Sequence, residues 1–74
     1  MPKLPRVTPA ELVRALARAG FVRDHQKGSH LTLRHLDGRR AIVPMHRRVL
    51  PTGTTHEILK QAGLSVEEFR GLLR

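Results

Sequence analysis

The residues best suited to chemistry stand in the stretch KGSH, Lys27 to His30, directly ahead of an alternating strand pattern. An imidazole is the side chain that moves protons most readily near neutral pH. An unprotonated His30 beside phosphate-holding cations could act as general base on a ribose 2′-hydroxyl. Attack of that oxygen on the adjacent phosphorus cleaves RNA without a metal. Hydrogen bonding of His30 to a phosphate, without catalysis, fits the same residues at least as well.

Cationic side chains supply the phosphate contacts that such a site needs. Arg47 and Arg48, in the basic run HRRVLPTGTT, are the leading candidates because a guanidinium matches the geometry of phosphate oxygens. Lys27 and Arg34 are further candidates, and the helix start after the basic run offers free N–H groups to an anion. His46, just before the two arginines, is a supporting acid or a group that orients the substrate.

Gly28 and Ser29 form the turn that leads into the His30 strand. No Asp is placed to orient a Ser–His pair, so we interpret Ser29 as a turn residue whose hydroxyl or backbone N–H can hold a phosphate. His25 and His56 are interpreted as solvated surface residues.

A metal site is not expected. The chain has no Cys, no His-x-x-x-His pattern on a helix, and no carboxylate near the candidate ligands. Strand alternation makes His30 and His35 face opposite sides of the sheet, so these two rings cannot share an ion. We therefore predict no cofactor.

Charge is the strongest global signal. Lys and Arg number 14 against 6 Asp and Glu, which gives a formal net charge of +8, and 11 of the cations are Arg. This excess on a chain of 74 residues indicates a polyanionic partner. Nucleic acid is favoured over a membrane because no segment forms a strongly amphipathic basic helix. A genome-wide preference for Arg explains the Arg bias equally well.

Length and cysteine usage limit the domain organisation. The chain is long enough for one small domain, 1–74, of which residues 1–7 form a basic, proline-rich arm.

The absence of Cys fits a reducing cytoplasm, and no apolar run approaches the roughly 20 residues that cross a bilayer. The N-terminus is too rich in proline for a signal peptide. We predict a soluble, cytoplasmic protein.

Capping signals delimit a first helix in TPAELVRALARAG. Thr8 is the predicted N-cap, Pro9 takes the first helical position, and Glu11 closes a capping box back to Thr8. Gly20 provides the left-handed stop. The apolar face is expected to contain Leu12, Val13, Leu16 and Ala17.

Two further helices close the chain. The stretch PTGTTHEILKQAG predicts one that starts at Thr54, in capping-box spacing with Glu57, or at Thr52. The stretch LSVEEFRGLLR predicts another, with Ser65 as N-cap and Glu68 three residues later.

Three strands, FVRDH, HLTLRH and RRAIVP, lie between the helices. Asp37-Gly38 is a preferred two-residue hairpin turn, and it would put the Leu33–Ile42 face under the helices and His30 opposite Met45. The pairs would be Leu31 with Pro44, Thr32 with Val43, Leu33 with Ile42, and Arg34 with Ala41. The side chains directed away from the helices would be His30, Thr32 and Arg34. The order α-β-β-β-α(-α) predicts an α+β fold, with a three-stranded antiparallel sheet and helices on one face.

Four segments, in this order and spacing, carry a resemblance to a known family. They are LVRALARAGF (Leu12–Phe21), KGSH (Lys27–His30), IVPMH (Ile42–His46) and TGTTHEILKQAGLSVEEF (Thr52–Phe69). The sequence resembles the HicA toxins, small messenger-RNA interferases of bacterial toxin–antitoxin pairs, from about Leu4 to Phe69.

The resemblance implies a fold like the double-stranded-RNA-binding domain and metal-independent cleavage of messenger RNA through His30. It also implies a HicB-type antitoxin that covers the His30 surface. Two other functions stay open: a non-catalytic RNA-binding module of the same fold, and a protein-interaction domain for an acidic partner. RNA that is retained but left intact in excess chelator would indicate the RNA-binding module. Failure to bind RNA at moderate salt would indicate the protein-interaction domain.

Overall fold

The structure is a computed structural model that describes residues 3–73. Its elements, in chain order, are α1 (Pro9–Arg18), β1 (Val22–Lys27), β2 (His30–Arg34), β3 (Arg40–Pro44), α2 (Thr52–Ala62) and α3 (Val66–Leu72). The strands form one antiparallel sheet in the order β1-β2-β3. The predicted α+β fold is confirmed. No helix among the described residues has the length and apolar character that a membrane span requires.

The hydrophobic core lies between the helices and one face of the sheet. β2 contributes Leu31 and Leu33, β3 contributes Ala41 and Val43, and all four side chains are buried. The helices add Leu12, Leu16, Ile58, Leu59 and Phe69. Burial of each large apolar side chain contributes roughly 1.5–3 kcal/mol. The core therefore fixes which face of the sheet points away from the helices.

The segment predicted as a basic arm packs on the core through Leu4 and Val7. Val7 is buried, and Leu4 packs against the core cluster. The Leu50 N–H donates a hydrogen bond of 2.8 Å to the Val7 carbonyl. Residues 1 and 2 of the predicted arm lie outside the described residues.

Both α1 and α3 begin with the predicted capping boxes. The Thr8 N–H donates to Glu11 Oε1 at 2.9 Å, and the Glu11 N–H donates to the Thr8 hydroxyl at 3.3 Å. Ser65 and Glu68 exchange the same two bonds at 2.9 and 3.0 Å. These bonds satisfy N–H groups that a helix start otherwise leaves unpaired.

Two details of the helix predictions are wrong. In α1, Ala17 is exposed and Ala15 is buried instead, because Ala15 follows a buried leucine by three residues and so shares its face. In α2, neither Thr54 nor Thr52 is the cap: Thr52 is already helical, and the N-cap is Pro51, without a side-chain cap bond. The fixed φ of proline, here −57° with ψ 143°, supplies the extended backbone that precedes a helix.

The β2–β3 register differs by one residue from the predicted one. The observed pairs are His30–Pro44, Leu31–Val43, Thr32–Ile42, Leu33–Ala41 and Arg34–Arg40. The cause is the connection between the strands. The His35 carbonyl accepts from the Gly38 N–H and the His35 N–H donates to the Arg39 carbonyl, both at 2.9 Å. With Gly38 at φ +98°, this is a three-residue loop. Ile42 therefore faces away from the helices and is 43% exposed.

β1 runs two residues further than the predicted FVRDH and starts one residue later. Phe21 precedes the strand and is buried, whereas all six strand residues are exposed. A β-bulge interrupts the pairing with β2 between Arg23 and His25, which leaves Asp24 without a partner in the ladder. β1 thus extends the exposed surface of the sheet without adding to the core.

The two capping boxes predict a loss of stability in acid. The backbone N–H groups of Thr8 and Ser65 lower the pKa of Glu11 and Glu68, respectively, below the ordinary value of 4.5. A carboxyl whose pKa is lower in the folded state stabilises the fold above its unfolded pKa, and this contribution is lost as pH falls through the folded value. We expect the melting temperature, followed by circular dichroism, to fall as the pH is lowered below about 4.5.

A Glu11→Gln/Glu68→Gln variant should melt lower than the native chain at pH 7 and show a smaller further decrease in acid. A Glu57→Gln/Glu67→Gln variant is the matched control, since it removes two carboxylates outside the capping boxes. Equal acid dependence of the native chain and the first variant would contradict this account.

Candidate nucleic-acid interface

His30 follows a two-residue turn that joins β1 to β2. Lys27 and His30 are the last pair of the ladder, so Gly28 and Ser29 form the turn. Gly28 has φ +59°, and Ser29 has no positive φ, which is the pattern of a type II′ turn. The turn sets the Cβ atoms of His30 and Lys27 about 4.5–5.5 Å apart on one face of the sheet.

We call the face of the sheet opposite the helices the open face. Cross-strand partners point to the same side of a sheet, and Leu31 and Leu33 point to the core, so the register fixes the members of this face. They are Val22, His25 and Lys27 of β1, His30, Thr32 and Arg34 of β2, and Arg40, Ile42 and Pro44 of β3. All except Thr32 and Pro44 are exposed. The side chains of His30, Thr32 and Arg34 thus point away from the helices.

The partner of His30 on β3 is Pro44, not Met45. This difference has the same cause as the register difference, the three-residue loop after β2. Met45 still joins β3 to the turn, because its N–H donates to the Ser29 carbonyl, while its side chain packs against the core. The loop after β3 therefore begins beside the turn that precedes His30.

The loop after β3 brings the predicted His46, Arg47 and Arg48 to the same end of the sheet as His30. The Arg48 N–H donates to His46 Nδ1 at 3.2 Å. All three side chains are exposed. Within residues 3–73, neither guanidinium makes an ion pair. Their charge is available to an anion in solution.

Arg34, a predicted phosphate contact, is paired with a carboxylate in this structure. Arg34 Nη2 lies 3.2 Å from Asp24 Oδ2, and His25 Nδ1 lies 3.5 Å from the same oxygen. All three side chains are at least one-third exposed. An exposed ion pair contributes about 0–1 kcal/mol, so a phosphate can compete with Asp24 for Arg34.

Most carboxylates lie away from the open face. They are Glu11 and Glu68 in the capping boxes, Asp37 in the β2–β3 loop, Glu57 in α2 and Glu67 in α3. The Arg39 backbone N–H is the main cause of a lowered Asp37 pKa. Asp24 is thus the one acidic residue in the three strands. The open face is therefore positively charged and suited to a polyanion.

His25, interpreted from the sequence as a solvated surface residue, lies on the open face, where its ladder pair with Thr32 is next to the pair of Lys27 and His30. A usable signal was present. Gly-Ser between two strands is a two-residue hairpin signal, and such a turn pairs Lys27 with His30. His25, two residues before Lys27, then falls on the same face.

The remaining histidines lie outside this surface. The His35 ring is half-buried and packs edge-to-face on Phe21, with centroids 5.1 Å apart, while its Nδ1 accepts from the Asp37 N–H at 3.2 Å. His56 is exposed on α2. Across residues 3–73, no three His, Asp or Glu side chains are grouped closely enough to hold a metal ion.

The open face carries no phenyl or indole ring. The chain has no Trp or Tyr, and both phenylalanines, Phe21 and Phe69, are buried. Base stacking on this surface therefore falls to imidazole rings and guanidinium planes. These residues are best suited to bind phosphate groups through charge and sugar hydroxyls through hydrogen bonds.

Comparison with known proteins identifies a family for this chain. The model of the HicA toxin of bacterial toxin–antitoxin pairs matches residues 9–64. The matched segment begins with α1 and includes the whole sheet, the turn before His30, the basic loop and α2. No match was found among curated proteins.

Proposed function

Because the chain belongs to the HicA toxin family of bacterial toxin–antitoxin pairs, we propose that it is an endoribonuclease that cleaves messenger RNA without a metal. The observation that carries this proposal is the exposed His30, directly opposite Lys27 and beside the loop that holds Arg47 and Arg48. A proton-transfer group next to phosphate-binding cations is the minimum that RNA transesterification needs.

In this mechanism His30 is the general base. Its unprotonated ring nitrogen takes the proton of a ribose 2′-hydroxyl, and the resulting oxygen attacks the neighbouring phosphorus. The bond from phosphorus to the 5′ oxygen breaks, which leaves a 2′,3′-cyclic phosphate and a 5′-hydroxyl. Positioned proton transfer of this kind contributes about 10²–10⁴-fold to the rate.

The cations around His30 bind the substrate and stabilise the charge that develops on the phosphate oxygens. Lys27, Arg47 and Arg48 fill this role, since within residues 3–73 none of the three makes an ion pair. Arg34 joins them when a phosphate replaces Asp24 as its partner. His46 orients the substrate.

The turn before His30 adds uncharged contacts. The Ser29 hydroxyl and the backbone N–H groups of Gly28 and Ser29 lie at the end of the sheet, one to two residues from the imidazole. Backbone N–H groups at such a turn are suited to bind a phosphate oxygen.

A toxin of this kind has an antitoxin partner, and we propose a HicB-type protein that covers the open face. Val22 and Ile42 expose 64% and 43% of their surface between cationic side chains. Apolar groups set among positive charges suit an acidic protein surface with an apolar centre. Covering this surface would keep RNA from His30.

A non-catalytic RNA-binding module is the second candidate. The observation in its favour is that no hydrogen bond from residues 3–73 orients the His30 ring. A catalytic imidazole is commonly held in place by a second group. The positive open face would serve either function, so charge does not distinguish them.

Incubation of RNA with the purified chain in excess chelator separates the two functions. We expect fragments that end in 2′,3′-cyclic phosphate, identified by mass spectrometry. An RNA with a 2′-deoxyribose at each mapped cleavage position should stay intact at that position, because the attacking oxygen is missing. Intact RNA that is retained by the chain in a salt-sensitive way would favour the binding module, and fragments with 3′-hydroxyl ends would contradict the mechanism.

A further inference from the structure

We propose that His25 is the proton donor to the leaving 5′ oxygen, so that the site uses an acid–base pair of histidines across two strands. This inference rests on the proposed ribonuclease function and assigns a second catalytic residue to it. His25 pairs with Thr32 in the ladder, two residues from His30, so both imidazoles project from the open face.

The strand geometry puts the backbone positions of His25 and His30 at a spacing that leaves room for a phosphodiester between their side chains. Diagonal neighbours on adjacent antiparallel strands lie about 7–8 Å apart. An in-line displacement needs the base and the acid on opposite sides of the phosphorus. The base must lie within a hydrogen bond, about 3 Å, of the attacking 2′ oxygen, and the acid within the same distance of the leaving 5′ oxygen. Lys27, opposite His30 and two residues from His25 on the same face, is a neighbour of both histidines and can bind the phosphate.

Asp24 lies against one nitrogen of the His25 ring. The β-bulge takes Asp24 out of the ladder, and its Oδ2 lies 3.5 Å from His25 Nδ1. No hydrogen bond from residues 3–73 engages His25 Nε2. A carboxylate is an acceptor only, so the Nδ1 that faces it is a donor, and Nε2 is the nitrogen left for the substrate. In the imidazolium both nitrogens are donors, and Nε2 is then the atom that gives its proton to the leaving oxygen.

His46 is less suited to donate the proton. Its Nδ1 accepts from the Arg48 N–H at 3.2 Å, and an imidazolium has no acceptor nitrogen with which to make that bond. Nδ1 of His46 therefore acts as an acceptor in this structure. A neutral imidazole can orient a phosphate or sugar hydroxyl through Nε2–H, which is the role given to His46 above.

The proposed step is balanced in protons and electrons. Neutral His30 takes the proton from the 2′-hydroxyl, and the 2′ oxygen forms its bond to phosphorus. The electron pair of the bond from phosphorus to the 5′ oxygen stays on that oxygen, which takes the proton from cationic His25. Exchange with water then returns His30 to the neutral form and His25 to the cationic form.

A substrate with a better leaving group tests this assignment. In such an RNA, sulfur replaces the bridging 5′ oxygen at a mapped cleavage position. A thiolate leaves without a proton because a thiol is far more acidic than an alcohol. We expect His25→Ala to lose about 10²–10⁴-fold in rate on ordinary RNA and to regain the native rate within a few-fold on the sulfur-containing RNA. His30→Ala should be slow on both.

Asp24→Asn tests the positioning residue in the same assay. Its cleavage rate on ordinary RNA should fall by less than that of His25→Ala, and its rate on the sulfur-containing RNA should match that of the native chain. His56→Ala, an exposed histidine on α2, is the matched control and should act as the native chain does.

If the cleavage rate of His25→Ala falls equally on both substrates, or falls on neither, the assignment of His25 is overturned. If the sulfur-containing RNA restores the cleavage rate of His46→Ala and not that of His25→Ala, the proton donor is His46 instead. If the native chain cleaves neither substrate, the proposed ribonuclease function fails and takes this inference with it.

Discussion

Replacement of His30 by alanine is expected to abolish RNA cleavage while the chain still folds and binds RNA. The side chain is exposed and makes no hydrogen bond within residues 3–73, so its loss should change the free energy of unfolding by no more than about 0.5 kcal/mol. Without the base, the 2′-hydroxyl keeps its proton, and we expect a loss of about 10²–10⁴-fold in cleavage rate. Single-turnover cleavage of labelled RNA measures this loss directly.

The same substitution should act in cells. Induction of the native chain is expected to arrest growth and degrade messenger RNA, and induction of His30→Ala should do neither. His56→Ala tests whether any exposed histidine matters, since it removes an imidazole from α2. If His30→Ala is as toxic and cleaves RNA as fast as the native chain, His30 is not the base.

The orientation of His30 was predictable from the sequence because it depends on one strand alone. Leu31 and Leu33 alternate with His30 and Thr32, and burial of the two leucines turns the other side chains outward. This pattern is internal to β2, so an error of one residue in the pairing of β3 does not reverse it. The same error does reverse Ile42, whose orientation depends on the register.

The register was not predictable because the dipeptide Asp37-Gly38 serves two loop types. A two-residue turn and a three-residue loop both accept glycine at positive φ. In the structure, Asp37 accepts from the Arg39 N–H at 3.1 Å, and Arg39 Nη1 reaches the Ala62 carbonyl on α2 at 2.6 Å. The second contact involves α2, a part of the chain that the hairpin sequence does not contain.

Side-chain pairs across strands were equally hidden from the sequence. The bulge at Asp24 puts its carboxylate against both His25 and Arg34, ten residues further on. Periodicity gives the face of a residue, but a bulge shifts the pattern of β1 partway along the strand. Hence the sequence predicted Arg34 as a cation of the site and gave no sign that a carboxylate is paired with it.

Arg47 and Arg48 differ from Arg34 in a way that makes them the main phosphate contacts. They lie in a loop whose position is fixed at both ends, by the Met45 bond to Ser29 and by burial of Leu50. The loop is therefore held near the His30 turn, while the two guanidinium groups stay exposed. Loss of their charge should weaken RNA binding without disturbing the sheet.

The double substitution Arg47→Ala/Arg48→Ala is expected to lower RNA affinity about 100-fold at low salt. Each hydrogen-bonded charge contact contributes roughly 1.5 kcal/mol or more, which is about tenfold in affinity. Each phosphate contact with a single strand also adds about 0.7 to the slope of log K against log salt, so the slope should fall by about 1.4. The measurement is a titration of labelled RNA at several salt concentrations. The His30→Ala background keeps the RNA intact during that titration.

The matched control for the arginine pair is Arg14→Ala/Lys60→Ala. It removes the same net charge from exposed positions on α1 and α2, which pack on the other side of the sheet. If affinity depends on local contacts, this control keeps the native salt slope and loses little affinity. An equal loss in both double variants would mean that RNA responds to total charge alone, and the loop after β3 would then have no special part in binding the substrate.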